Sequence, residues 1–274
     1  MLDLLFLREI IAVAGTIVAS YTDIKKGLIY DFITLPMIAA AVVLNVFESN
    51  FEGFLFGGIV FAIGYIFYYT GKIGGGDVKL YTAITMLLPR MGGSILILNA
   101  FIFSGLAALV FIPTYYTLKY LKKTGGIKNA IEENQKGVQK SIVFAVIIAA
   151  YLYIVLSQGF VSTAYAFVIG VPMLFGTVFI AFEKGIREKI FLEKISIKDI
   201  EEDELIAREF LDEEIAKKLK LGAKGLIDKD IQKKFEELGI KQVPVYRNLP
   251  KFAPFILLGL LGAIFWPDFF SFLV

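Results

Sequence analysis

Long apolar segments recur along this chain and constrain its fold more than any other feature. A helix needs about 20 apolar residues to cross the hydrocarbon core of a bilayer. Hydrophobic residues make up 57% of the 274 residues, above the roughly 45–50% that is typical of soluble domains. We count eight candidate spans, at residues 2–22, 32–48, 54–71, 77–90, 93–118, 141–157, 160–182 and 251–273. The sequence therefore predicts an all-α polytopic membrane protein, a bundle of about eight transmembrane helices.

A charged stretch interrupts this pattern before the last span. Charged residues at 200–221 are interspersed with Ile, Leu and Phe at helical spacing. Residues 228–238 predict a short amphipathic helix that ends at Gly239, and residues 242–246 predict a short extended segment. We predict three parts: a transmembrane domain at 1–182, a small cytoplasmic α or α+β domain at 183–250, and a C-terminal transmembrane helix at 251–274.

The lysines predict how the helices are oriented. With the N-terminus outside, the lysines of the connecting segments fall on the cytoplasmic side, as the positive-inside rule requires. They are Lys25, Lys26, Lys72, Lys119, Lys122, Lys123, Lys128, Lys136 and Lys140. Arg8 and Arg90 fall on the other side, and Arg8 lies within the first span. We expect a multi-pass protein of the plasma membrane, surrounded by lipid, with Asp23 and Asp77 at the cytoplasmic face.

Carboxylates are the side chains left to carry chemistry. The chain contains no His and no Cys, which excludes Ser/His and Cys/His catalysis, disulfides and the usual zinc ligands. Asp23 ends the first span, and Asp77 begins the fourth span directly after three glycines. Two carboxylates that share a proton can act on water as a base and on a scissile carbonyl as an acid. We expect no metal and no organic cofactor, and the net charge of +2 suggests no nucleic-acid partner.

Each aspartate also has a purely structural interpretation. The glycines at 74–76 and Asp77 fit a turn in which Asp77 caps the fourth helix, and Asp23 fits a solvated acid paired with Lys25 or Lys26. Two functional alternatives to a protease also remain open. A proton-coupled transporter would relay protons through the same acids, although transporter acids usually lie near the membrane midplane. A catalytically silent assembly partner would use the charged domain as a docking surface.

Motifs around the two aspartates resemble the type IV prepilin peptidase family, the GxGD membrane aspartyl proteases, and in particular its archaeal preflagellin and prepilin peptidase branch. The first motif is Asp23 followed by GLIYDFITLP at 27–36. The second motif is GGGD at 74–77, with VKL at 78–80. A later stretch, RNLPKFAPFI at 247–256, is similar to the start of the last span in archaeal members.

The resemblance implies an aspartic endopeptidase with Asp23 and Asp77 as its catalytic pair. Gly74, Gly76 and Lys79 would support the second motif, and Asp31 would not be part of the pair. Bacterial relatives that also methylate the new amino terminus often carry a cysteine-rich insert. This chain lacks that insert and any cysteine, so a methyltransferase role is not supported.

The implied substrates are prepilin-like or preflagellin-like (archaellin) precursors with class III signal peptides. Such a precursor has a short basic leader in the cytoplasm and an apolar helix that would lie among the spans. This arrangement places the scissile bond at the cytoplasmic face. Glu201, Glu202 and Asp203 are candidates to attract the basic leader, although a solvated helix face explains them better.

Overall fold

The computed structural model describes residues 4–159, 162–200, 204–212, 215, 219, 227 and 229–269, so Glu201, Glu202 and Asp203 lie outside the described residues. Helices account for most of them. In chain order they are α1 (Leu4–Lys26), α2 (Asp31–Phe47), α3 (Phe51–Tyr69), α4 (Gly75–Leu87), α5 (Leu96–Thr124), α6 (Ile127–Glu133), α7 (Gln135–Ser157), α8 (Thr163–Ile186), α9 (Lys229–Glu237) and α10 (Ala253–Phe265). A π-helical turn, Arg187–Phe191, continues α8. A two-stranded hairpin of β1 (Arg90–Met91) and β2 (Ser94–Ile95) joins α4 to α5.

The prediction of a helical membrane protein is confirmed, but the count of eight spans is not. Among the described residues, five helices are long and apolar enough to cross a membrane: α1, α3, α5, α7, and α8 together with its π-helical turn. All eight apolar segments form helices, yet three of them are short. α2 has 17 residues, and α4 and α10 have 13 each. Thirteen residues extend only about 20 Å, against a hydrocarbon core of about 30 Å.

The short helix α4 forms the buried centre of the bundle. Its residues 80–87 are all buried, and α1, α2, α3 and α5 pack around it. A helix that is apolar on every side is typical of a core helix. α10 packs against α1 and α5 and adds Ile256 and Leu260 to the same core. α4 is therefore enclosed by helices from both halves of the membrane domain and shares its core with α10.

A small unit of strands and helices follows α8. β3 (Leu192–Ser196), β4 (Leu205–Ile206) and β5 (Gln242–Tyr246) form an antiparallel sheet in the order β3–β5–β4. Ile231 and Phe235 of α9 share a core with Val243 and Val245 of β5. The helix predicted at 228–238 and the extended segment predicted at 242–246 are both present.

The helical spacing at 200–221 was misleading for residues 205–210, whereas Ile215 and Leu219 are helical as expected. Residues 205–206 form β4, and Arg208–Phe210 form a 3-10 turn. Pairing of Ile206 with Val245 explains the difference, because a tertiary contact overrides a short helical pattern. The domain limits at 182 and 250 remain predictions. α8 continues to Ile186, and the first strand of the small unit begins at Leu192.

Candidate active site

The carboxyls of Asp23 and Asp77 are neighbours at one end of the bundle. Asp23 lies near the end of α1, where it is 6% exposed, and Asp77 lies in the first turn of α4, partly buried. The two carboxyls are close enough for the charge of Asp23 to act on Asp77. The structure thus brings together the two acids that the sequence singled out, from the end of one helix and the beginning of another.

A glycine turn ends α1 beside Asp23. Gly27 has a φ of 73°, a left-handed conformation that glycine adopts without steric cost, and its N–H donates to the Asp23 carbonyl oxygen at 2.8 Å. A Cβ atom built on Gly27 would lie 2.3 Å from Lys251 Nζ. The Lys251 charge in turn acts on the Asp23 carboxylate. The turn therefore places a cation beside the first aspartate.

The start of α10 holds the Asp23 side chain. The Ala253 N–H donates to Asp23 Oδ2 at 3.0 Å, and Ser20 Oγ donates to the Ala253 carbonyl oxygen at 3.0 Å. These bonds fasten the last turns of α1 to the first turn of α10. The sequence did not predict Lys251 and Ala253 as neighbours of Asp23. Its one signal was the similarity of 247–256 to the start of the last span, which does not say what that segment contacts.

The glycines before Asp77 permit close packing. A Cβ atom built on Gly76 would lie 2.7 Å from Ile29 Cβ and 3.1 Å from the Ile29 carbonyl oxygen. A Cβ atom on Gly74 would lie 3.0 Å from Asp77 Oδ2. The beginning of α4 therefore packs directly on the link between α1 and α2, which brings Asp77 to Asp23.

The capping interpretation of Asp77 accounts for only part of its environment. Gly74, not Asp77, is the N-cap residue of α4, and the Gly74 backbone lies close to the Asp77 carboxylate. The atom Asp77 Oδ1 is buried and has no hydrogen-bond partner among the described residues. Helix capping therefore does not account for Asp77 Oδ1, and this oxygen is available to a water molecule, a proton or a substrate.

Asp31 and Lys79 form a separate ion pair. Lys79 Nζ lies 2.5 Å from Asp31 Oδ1, and the two side chains are 35% and 57% exposed. The pair connects the first turns of α2 and α4 at the surface. The structure therefore pairs Lys79 with the acid that is not a candidate for catalysis, rather than with Asp23 or Asp77.

A comparison with known protein families points to the same part of the chain that contains Asp23 and Asp77. Residues 10–111 match the sequence model of the type IV leader peptidase family, and the match includes both aspartates and the glycines before Asp77. Residues 10–111, fewer than half of this chain, are thus similar to the type IV leader peptidase family. The family resemblance inferred from the two aspartate motifs is thereby confirmed.

Similarity to a curated protein is confined to part of each chain. Prepilin peptidase EppA of Methanothermobacter thermautotrophicus is 41% identical over 91 residues, which cover 30% of this chain and 24% of that protein. The chain thus matches about a quarter of the length of this relative. No solved structure matches the chain.

Proposed function

We propose that this protein is a membrane aspartic endopeptidase in which Asp23 and Asp77 cleave the leader peptide from prepilin-like or preflagellin-like (archaellin) precursors. One observation carries the proposal. Asp77 keeps a buried carboxylate oxygen without a hydrogen-bond partner among the described residues, and the charge of a second buried carboxyl, that of Asp23, acts on Asp77. The match of residues 10–111 to the family model and the name of the partial relative, a prepilin peptidase, support the reaction class.

The pair hydrolyses a peptide bond with one shared proton. The ionised aspartate takes a proton from water as the water oxygen attacks the scissile carbonyl carbon, and the protonated aspartate donates its proton to the carbonyl oxygen. The tetrahedral gem-diol collapses as the aspartate that took the proton from water gives it to the amide nitrogen, the other aspartate recovers a proton from a gem-diol hydroxyl, and the C–N bond breaks. The hydrogen bond from Ala253 orients Asp23 and the charge of Lys251 acts on it, while Asp77 Oδ1 is available to the water.

The position of the pair suits a substrate with two unlike parts. The aspartates lie at the end of the bundle that also carries Lys25, Lys26 and Lys251. The positive-inside rule assigns such an end to the cytoplasm. An apolar helix of the precursor would lie among the lipid-exposed helices, its basic leader would extend into the cytoplasm, and the scissile bond would reach the aspartates. We therefore place the protein in the plasma membrane, with its active site at the cytoplasmic face.

Cleavage of a precursor by membranes that contain the protein tests the proposal. Wild-type protein is mixed with an epitope-tagged prepilin or archaellin precursor, and the new amino terminus is identified by mass spectrometry. We expect one cut between leader and apolar helix with wild type, and none with Asp23→Asn or Asp77→Asn at equal membrane abundance. Cleavage that survives in either variant would exclude the catalytic pair. Intact precursors of both classes with wild type, together with proton uptake that requires both aspartates, would favour the transporter.

A further inference from the structure

A second buried polar cluster lies at the end of the bundle opposite Asp23 and Asp77. Arg8 of α1 is 4% exposed, and Asn45 of α2 is fully buried. Arg8 Nη1 donates to Asn45 Oδ1 and to the Leu87 carbonyl oxygen, both at 2.9 Å. Arg8 Nη2 donates to Glu48 Oε2 at 2.8 Å. Asn45 Nδ2 donates to the Met86 carbonyl oxygen at 3.0 Å. We call Arg8, Asn45 and Glu48 the clamp.

The clamp completes the end of α4. The last carbonyl groups of a helix have no partner within the helix, and because Met86 and Leu87 are buried, bulk water does not supply one. Asn45 and Arg8 supply donors to the last two carbonyls of α4, those of Met86 and Leu87. The charge of Arg8 also lies at the negative end of the α4 dipole. The clamp thus explains an arginine within the first predicted span.

We propose that Arg8 and Asn45 are positioning residues that set the register of α4 against α1, and thereby the approach of Asp77 to Asp23. α1 carries both Arg8 and Asp23, and α4 carries both Leu87 and Asp77. Because each helix is a continuous hydrogen-bonded rod, a contact that fixes Leu87 against Arg8 also fixes the aspartates at the other ends. The activity part of this inference rests on the proposed function, whereas its structural part does not.

Two single substitutions, Gly53→Ala and Asn45→Asp, disturb the clamp while Arg8 stays in place. A Cβ atom on Gly53 of α3 would lie 2.3 Å from Asn45 Nδ2, so Gly53→Ala pushes on an amide that is held by hydrogen bonds on both sides. A Cβ atom on Gly58 of the same helix has no neighbour within 4 Å, so Gly58→Ala is the matched control. Asn45→Asp keeps an oxygen for Arg8 but loses the N–H donor to the Met86 carbonyl.

The absence of cysteine from the chain allows a readout that needs no catalysis. Asp23→Cys and Asp77→Cys are combined, and the rate of cross-linking by a short bifunctional thiol reagent is measured in membranes. We expect Gly53→Ala and Asn45→Asp each to slow cross-linking severalfold, and Gly58→Ala to leave it unchanged. In the chain with both aspartates, Gly53→Ala and Asn45→Asp should lower kcat about tenfold or more, with KM unchanged, because small misplacements of reacting groups are costly.

The two readouts separate this inference from the proposed function. Unchanged cross-linking in Gly53→Ala and Asn45→Asp would overturn the positioning role, as would a loss of activity that only follows a loss of folded protein. If wild type cleaves no precursor, the proposed function fails, but slowed cross-linking would still support the clamp. Slowed cross-linking together with reduced kcat and unchanged KM is the result we expect.

Discussion

The two ends of the α1–α4 pair differ in how their buried charged groups are partnered. At the clamp, two guanidinium nitrogens of Arg8 donate to Asn45, Glu48 and the end of α4, and only Arg8 Nε has no hydrogen-bond partner among the described residues. At the candidate active site, Asp77 keeps a buried carboxylate oxygen that has no hydrogen-bond partner among the described residues. The clamp therefore stabilises the bundle, whereas the candidate active site leaves a carboxylate oxygen of Asp77 available for chemistry.

This difference distinguishes a structural site from a catalytic one within the same pair of helices. A buried polar group without a partner costs free energy, so its presence beside a second acid points to chemistry. A buried charge with several partners serves packing and orientation. Substitutions at the aspartates should therefore act on catalysis directly, whereas substitutions at the clamp should act on stability and on the placement of the aspartates.

The largest effect is expected at the aspartates. Asp77→Asn keeps the size of the side chain but removes the ionisable group, so kcat for precursor cleavage should fall by about a thousandfold or more. Asp31→Asn, at the same end of the bundle, is the matched control and should retain most activity because its carboxylate is exposed and paired with Lys79. Cleavage is followed by gel mobility at equal enzyme abundance. If Asp31→Asn were inactive and Asp77→Asn active, the catalytic role that we propose for Asp77 would be wrong.

Loss of the arginine should act on stability first. Arg8→Leu leaves Glu48 and the Leu87 carbonyl without their donor, and we expect the free energy of unfolding to fall by roughly 2–4 kcal/mol. Because the Glu48 side chain is 30% exposed, solvent screens part of the loss. Glu48→Gln keeps an acceptor for Arg8 and should cost about 1 kcal/mol. Thermal unfolding in detergent measures both, and equal stability of Arg8→Leu and wild type would refute a structural role for the clamp.

A methyl group at Gly76 should impair the active site without changing any polar group. Its Cβ atom would lie 2.7 Å from Ile29 Cβ, which pushes the first turn of α4 away from the link beside Asp23. We expect kcat to fall about tenfold to a hundredfold, measured with the same precursor. Gly75→Ala is the control, because its Cβ atom would meet only the side chain of Tyr68, at 3.3 Å. Equal activities of the two variants would mean that Asp77 tolerates the displacement.

The sequence predicted where the helices lie better than how many of them cross a membrane. The segment predicted as a span at 77–90 is α4, which ends at Leu87 and is buried among other helices. Apolar residues on every side are equally typical of a helix in lipid and of a helix inside a protein core. Only the arrangement of α1, α2, α3 and α5 around α4 distinguishes the two environments, and no local pattern encodes it.

The candidate site shows the same division between local and distant information. Asp23 and Asp77 could be predicted because each lies in a short motif of adjacent residues. The Ala253 N–H that holds Asp23 is a backbone group, so no residue type marks it. Arg8 left a signal, a charge within an apolar span, but its partners at Asn45 and Leu87 come from other helices and appear only when the chain is folded.

The smallest effect is expected at the exposed pair of Lys79 and Asp31. The two side chains are 35% and 57% exposed, and such ion pairs contribute about 0.2–1 kcal/mol. Lys79→Gln should therefore change precursor cleavage by no more than about threefold, and a double-mutant cycle with Asp31→Asn should give a coupling free energy below about 1 kcal/mol that shrinks as salt is raised. If Lys79→Gln instead impairs kcat as strongly as Gly76→Ala, and Asp31→Asn does not, Lys79 acts on the catalytic pair rather than on Asp31. That result would extend the catalytic end of the comparison to a residue that the structure places in a surface ion pair.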